Sequence, residues 1–249
     1  RMDPPASWAA LDTYERVIVE KGVQTLRHGS GGSGGTVLFE RATNLVTKPE
    51  GGLQGDVSLT GMSNGVKHDV SADLIGNNDK GYVRVFAQDR AADNYEDGNG
   101  DEVRSSYDHQ QTGLVLGLTP KQGQLFEYTI EQNDFEDALY PGAGMDSPEE
   151  TGTIQRLKYR DEFDGVVKKV EADIFLSEID HVMDNYSLRP IAMPAMKRRT
   201  ATTSDTIGTN IVLTSMAGDT EIVYGLNVQN RERLATLHND ATGMPLMYM

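Results

Sequence analysis

His181-Val182-Met183 is the short stretch of this chain whose residue types and spacing could hold a metal ion. Residues two apart on a β-strand share a face, so an imidazole and a thioether can reach one ion together. Such donors favour soft ions and serve Mg²⁺ or Ca²⁺ poorly. The same pair also reads as a packing methionine beside a hydrogen-bonded surface histidine, and taken alone it leaves both readings open. Asp97-x-Asn99-x-Asp101 starts like a calcium loop but carries Glu102 where such loops need Gly. It reads instead as an acidic loop that concentrates cations. Met193 and Met196, in an expected external loop, and Met244, Met247 and Met249 could pass a soft metal along, or be flexible apolar loop residues. Catalysis finds no constellation. His109, His181 and His238 fall in different strands or loops, and Gly29-Ser-Gly31 and Gly32-Ser-Gly34 lack the strand-to-helix turn a serine nucleophile needs. The chain is expected not to be an enzyme.

The second chemical candidate is the glycine run from His28 to Gly35, five glycines and two serines in eight positions. Gly29 to Gly34 satisfies the dinucleotide pattern GxGxxG, yet six residues separate it from the preceding strand and another strand follows, so the strand-turn-helix context is missing. A Gly/Ser linker is the compositional alternative. Both flanks, Arg16-Val-Ile-Val-Glu-Lys-Gly22 and Thr36-Val-Leu-Phe-Glu-Arg41, are strand-like, and glycines that let two backbones approach and turn fit them best.

The elements that must position these residues read as strands. Leu53, Val57 and Leu59 alternate with Gln54, Asp56, Ser58 and Thr60. Val70, Ala72 and Leu74 follow the same period, as do Leu114, Leu116 and Leu118, then Val170 to Leu176, then Ile222 to Val228. On the strand that leads to His181 the apolar set is even-numbered, so Glu171, Asp173, His181 and Met183 should share the opposite, inward face. Tight turns are expected at 77–81, 119–123, 164–165 and 217–220, and long polar loops at 91–106, 134–151 and 181–205. Short turns at one end and long loops at the other are the pattern of a transmembrane barrel, although a soluble antiparallel sheet also alternates. The 249 residues include 26 glycines, 37% hydrophobic and 24% charged residues, which suits strands and turns better than a helical core. The net charge of −15 argues against nucleic acid. Without cysteine there are no disulfides or thiolate ligands within the chain. No apolar run reaches the roughly 18 residues of a spanning helix.

Tyr14-Glu-Arg-Val-Ile-Val-Glu-Lys-Gly22, the bend after it and the glycine run up to Arg41 resemble the end of the plug domain of TonB-dependent outer-membrane receptors. Val23 stands where that family often has Pro. A narrower resemblance, to the copper receptors of the family, lies in Arg1-Met-Asp-Pro-Pro-Ala-Ser7, Gly35 to Arg41, Asp93 to Gly100 and Asp180-His-Val-Met-Asp-Asn-Tyr-Ser-Leu-Arg189. That subfamily builds its metal site from a CxxxM element of the plug and an HxM element of the barrel. The resemblance makes Met2 the methionine of the first element, its cysteine lying four residues earlier and outside this chain, and His181 and Met183 the second. With a thiolate added, the set suits Cu(I).

The resemblance therefore implies an all-β transmembrane antiparallel β-barrel, with about nine strands of it present, behind the C-terminal part of a small α+β plug domain. Residues 1–43 would be plug, 44–52 a connector and 53–249 the N-terminal part of the barrel. It implies residence in the outer membrane of a Gram-negative bacterium, contact with its lipid, copper as ligand or cargo, and an inner-membrane TonB energy-coupling complex that would engage a segment outside this chain. Two alternatives stand beside it: a receptor of the same architecture for a siderophore or other chelate, and a secreted β-rich binding module.

Overall fold

The computed structural model describes residues 13–22, 34–41, 51–191 and 193–248. Most of the glycine run, Met2 and residues 44–50 of the expected connector lie outside them. The strands in chain order are β1 (Arg16–Glu20), β2 (Thr36–Glu40), β3 (Gly52–Thr60), β4 (Val66–Asn78), β5 (Gly81–Ala92), β6 (Tyr95–Glu96), β7 (Glu102–Val103), β8 (Tyr107–Leu118), β9 (Leu125–Ala138), β10 (Asp146–Glu162), β11 (Val167–Asp184), β12 (Arg198–Ala217), β13 (Thr220–Asn239) and β14 (Met244–Tyr248). Among the described residues there is no α-helix; a 3₁₀ turn at Pro194–Met196 precedes β12.

Ten strands form one antiparallel sheet in the order β14-β13-β12-β11-β10-β9-β8-β5-β4-β3, each bonded to its neighbour in the chain apart from the small β6–β7 hairpin inserted after β5. The tenth strand, against about nine expected, is the short β14, whose Met-Pro-Leu-Met-Tyr carries no alternation to announce it. The period-2 pattern sorts the side chains to two faces. One face carries Val57, Leu59, Leu74, Val85, Leu116, Phe126, Leu157, Ile174, Leu176, Ile207, Tyr224, Leu226 and Val228, all exposed. Leu226, for example, is 59% exposed. A band of aliphatic side chains this broad would be a liability in water and is what a barrel shows to lipid. This is the wall of a transmembrane β-barrel.

Connections alternate as expected. Tight turns join β4 to β5, β8 to β9, β10 to β11 and β12 to β13, whereas at the other end the β5–β8, β9–β10 and β11–β12 links are longer and the β3–β4 and β13–β14 links are short. The long loops are shorter than the sequence suggests. Residues 134–138 and 146–151 belong to β9 and β10, and 181–184 and 198–205 to β11 and β12. Within 91–106, two stretches pair as β6 and β7. The physical reason is that these stretches are polar on both faces. A strand of about 9–11 residues crosses a bilayer, but β10 to β13 run to 17, 18, 20 and 20 residues. Their far halves therefore rise clear of the apolar layer, where nothing enforces alternation.

The opposite face is polar, and on β5, β8 and β9 it meets the residues that flank the β1–β2 pair, Thr13 to Glu15 and Arg41. Three aromatic rings of this face lie across glycines on the neighbouring strand: Tyr82 opposite Gly117, Phe86 opposite Gly113 and Phe175 opposite Gly208. A Cβ at any of these glycines would overlap the ring. In the β1–β2 pair, Gly35 has φ +121°, and a Cβ there would collide with the Glu20 carbonyl. A close backbone passage, rather than a linker, is what the described end of the glycine run provides.

Candidate functional site

Three clusters line the inner side of this wall. The first seats the β1–β2 pair. Arg41, just after β2, donates from Nε to the Thr13 carbonyl at 3.1 Å, from Nη2 to Thr13 Oγ1 at 3.2 Å and from Nη1 to Glu131 Oε2 of β9 at 2.9 Å. Its guanidinium also lies over the Tyr14 ring at 3.9 Å and the Phe86 ring of β5 at 3.7 Å. Tyr14 donates to Glu131 at 3.2 Å, and Gln111 of β8 donates to the same carboxylate at 2.5 Å. Beside them Arg84 of β5 pairs with Asp73 of β4 and, at 3.0 Å, with Glu15. Burial pushes the Tyr14 phenol up to about 12, so it remains a donor at neutral pH. Four strands of the wall, β4, β5, β8 and β9, and the segment that precedes β1 are thus tied through one buried ionic cluster.

The second cluster contains His181 and Met183. The odd-numbered inward face expected for β11 is observed: Ile174 and Leu176 are exposed on the lipid side, while His181 is 7% exposed. His181 stands directly opposite Glu150 of β10 and Thr202 of β12. Its Nε2 is 3.1 Å from Glu150 Oε1, and the Tyr140 hydroxyl donates to that same oxygen at 3.1 Å. Glu150 itself is 2% exposed. Burial opposes its ionisation, but His181 and the hydroxyls of Ser147 and Tyr140 outweigh burial and hold its carboxyl below the ordinary glutamate range. Met183 lies two residues on, opposite Thr200 of β12, and Thr200 Oγ1 is 3.9 Å from the sulfur of Met145. Most outward residues at this level, among them Asp134, Glu149, Thr151 and Asp180, are polar, with Val182 and Ala201 the apolar exceptions, which puts the cluster at the edge of the lipid-facing band or above it.

Sequence reasoning placed His181 and Met183 on one inward face but missed Glu150, Tyr140 and Met145. Glu150 had no such signal, because equal steps outward from the Asp164-Gly165 turn would set it opposite Ile179, whereas the ladder runs two residues off that count, pairing Glu162 with Lys169 and Glu150 with His181. Met2 lies outside the described residues. Among the described residues no group of three or more His, Asp or Glu gathers in metal-binding geometry. An imidazole and a thioether from β11 are therefore half of a coordination set, and the chemistry they can do is to hold one side of a soft ion.

The third cluster is a clamp at the loop end. Asp146, 0% exposed, accepts from Arg189 Nε at 2.7 Å, from Arg104 Nη2 at 2.9 Å and from the Tyr140 amide at 3.0 Å. Arg104 also reaches the Leu188 carbonyl, and Arg189 the Ala143 carbonyl. Burial opposes the charge on Asp146, yet the two guanidinium groups and the amide prevail and keep its carboxyl below the usual aspartate range. The link after β5, the β9–β10 link and the β11–β12 link are all fastened to this one carboxylate. In the acidic loop Asp97 Oδ1 accepts the amides of Asn99 and Asp101, an Asx-type turn, and Glu96 exchanges hydrogen bonds with Asn64.

No family model and no curated protein sequence matches the chain. Among solved structures it is similar to the copper transporter OprC, with a TM-score of 0.89 and 32% identity over 98% of this chain and 39% of that one. It is also similar to a variant of the ferric enterobactin receptor PfeA of Pseudomonas aeruginosa, with a TM-score of 0.61 and 14% identity over 94% of this chain and 37% of that one. The second likeness is one of fold alone. The chain spans about two fifths of the length of either neighbour. A next-neighbour antiparallel wall with a lipid-facing band and the 32% identical likeness place the chain among the TonB-dependent receptors of the Gram-negative outer membrane.

Proposed function

We propose that this receptor captures copper, as Cu(I), between plug and barrel wall and imports it. In this reading residues 1–43 are the end of the plug, 44–52 the connector and 53–249 the first part of the barrel. His181 and Met183 supply the ligands of the wall, and Met2 and a cysteine outside this chain supply those of the plug. The observation that carries the reading is the buried, inward imidazole of His181 with Met183 on the same strand face. The 32% identical neighbour bearing the name of a copper transporter supports it. The protein's own chemistry is to bind and exclude water, and no catalytic step is assigned to it. Release inward would follow rearrangement of the plug, driven by the inner-membrane TonB complex. The buried cluster of Arg41 and Glu131 is where such a rearrangement would have to break contacts with the wall.

Copper content per molecule of the complete receptor, recovered from membranes, tests this against the His181→Ala, Met183→Ala double variant. Near-stoichiometric copper that is lost in the variant is expected. Copper absent from both, or equal in both, overturns the metal assignment and leaves a receptor for a chelate.

A further inference from the structure

The lipid-facing side of the wall carries a groove at its tight-turn end, with a volume of about 720 Å³. That size suits a small ligand or part of a lipid. Lys121, Glu162, Phe163, Asp164, Val170 and Leu213 are among the residues that line it. Val170 and Leu213 stand directly opposite each other on β11 and β12, at the start of the apolar set that runs on through Ile174 and Leu176. The floor of the groove is therefore continuous with the band shown to lipid. Close by on the same face, Phe126 of β9 and Tyr159 of β10 pack with ring centroids 4.9 Å apart, as aromatic side chains do at the edge of a barrel's apolar band. Short turns belong to the periplasmic end of such a barrel, so the groove opens on the inner, phospholipid leaflet.

Its rim carries charge of both signs. The β8–β9 turn lies so close to the end of β10 that a Cβ on Gly123 would come within 2.9 Å of the Glu162 Cβ, and this turn holds the Lys121 ammonium 5.7 Å from the centre of the Phe163 ring. Lys121 pairs with Asp161 at 3.1 Å, yet its side chain stays 54% exposed, with N–H donors to spare. Asp161 is satisfied within the wall, because Gln124 and Tyr159 donate to its other oxygen at 2.9 and 3.0 Å. Glu162 and Asp164, by contrast, are exposed, and no lysine or arginine among the described residues pairs with either carboxylate. Lys169, across the ladder from Glu162, goes to Glu171 at 2.8 Å, and Lys168 donates to the Asp164 backbone carbonyl at 3.1 Å.

We propose that this groove is a subsite for a phospholipid of the periplasmic leaflet whose phosphodiester carries a primary ammonium, a phosphatidylethanolamine. An acyl chain lies along Phe163, Val170 and Leu213, the phosphate accepts from Lys121, and the ammonium donates to Glu162 and Asp164. An anionic phosphatidylglycerol brings no cation to those two carboxylates, and a quaternary choline brings one that cannot donate a hydrogen bond. The subsite belongs to the outside of the barrel and stands whatever cargo the receptor carries.

The test uses the complete receptor, stripped of lipid in detergent and offered equimolar phosphatidylethanolamine, phosphatidylglycerol and phosphatidylcholine with identical acyl chains. Native mass spectrometry reads the headgroup of the first lipid retained. The wild type is expected to favour phosphatidylethanolamine about fivefold over either competitor, the weight of one charged contact at a membrane surface. The Glu162→Gln, Asp164→Asn double variant leaves the Lys121–Asp161 pair intact and should lose that preference. Leu213→Trp, which fills the groove and keeps the lipid-facing side apolar, should lose it as well. Equal retention of the three headgroups by the wild type, or a preference for phosphatidylglycerol or phosphatidylcholine, overturns the proposal. A preference for phosphatidylethanolamine that persists in either variant puts the contact elsewhere on the barrel and overturns the subsite.

Discussion

Replacing Arg41 by Met should loosen the β1–β2 pair from the wall while leaving the wall itself folded. Arg41 and Glu131 have side chains only 14% and 7% exposed, with nitrogen and oxygen 2.9 Å apart. Two unit charges about 4 Å apart attract by roughly 4 kcal/mol at an effective dielectric near 20. Removing one partner also strands the other in a dry site, and breaking a buried pair costs about 3–5 kcal/mol. Gln111 and Tyr14 still donate to Glu131 in the variant, which favours the lower end. Methionine keeps an apolar contact with Tyr14 and Phe86 but not the cation–π attraction, worth about 1–2 kcal/mol in a desolvated setting. At about 1.4 kcal/mol per decade, local opening of β1 and β2 should rise on the order of 10²–10³-fold. Amide hydrogen exchange of Arg16–Glu20 and Thr36–Glu40 in the complete receptor reads that opening, and exchange in β8 to β12 should stay as it was. The double variant Arg41→Met, Glu131→Gln should restore much of the protection, because no charge is then left buried alone. Unchanged exchange in the single variant, or a double variant no better than the single, would refute the reasoning.

The clamp on Asp146 should respond to pH with a definite sign. Its carboxyl is depressed in the folded loops, so the stabilisation is fully present above the ordinary aspartate value of about 3.9 and fades only as pH falls through the lower folded value. Limited proteolysis of 93–106 and 185–197 should therefore be unchanged from neutral pH down to about 4 and increase below it, whereas Asp146→Asn should show the increase already at neutral pH. Equal proteolysis of Asp146→Asn and wild type at neutral pH would sink the clamp. On the other face, Leu226→Arg should cost about 2–4 kcal/mol of folding into a bilayer if the residue sits near mid-depth, measured by denaturant titration in liposomes, while inward Gln229→Arg should be close to neutral. Equal costs for the two would contradict the assignment of faces.

The wall was legible because two solvents act on one strand. Lipid on one side and water on the other force a period of two, and Leu53, Val57, Leu59 or Val170 to Leu176 display it directly in the sequence. Above the lipid-facing band that force disappears. In Asp134 to Ala138 or Thr200 to Asp205 both faces meet polar surroundings, so a hydrogen-bonded strand and a loop have the same composition. This is where sequence patterning underestimates strand length, and it is also where His181 and Glu150 meet.

The site shows a second limit of a different kind. His181 and Met183 could be placed on one face because their relation is local, two residues along a strand. Their partners depend on register, which one turn sets for a whole hairpin. Asp164-Gly165 was recognised as that turn, but equal counting from it sets Glu150 opposite Ile179, whereas the ladder runs two residues off that count from Glu162 and Lys169 up to Glu150 and His181. The Arg41–Glu131 contact is farther from any local rule: ninety residues separate the pair, and only the fold brings the residue after β2 to β9. Ligand residues along a strand can thus be found by spacing, whereas their partners across the hairpin and the contact that would have to yield during transport emerge only from the folded chain.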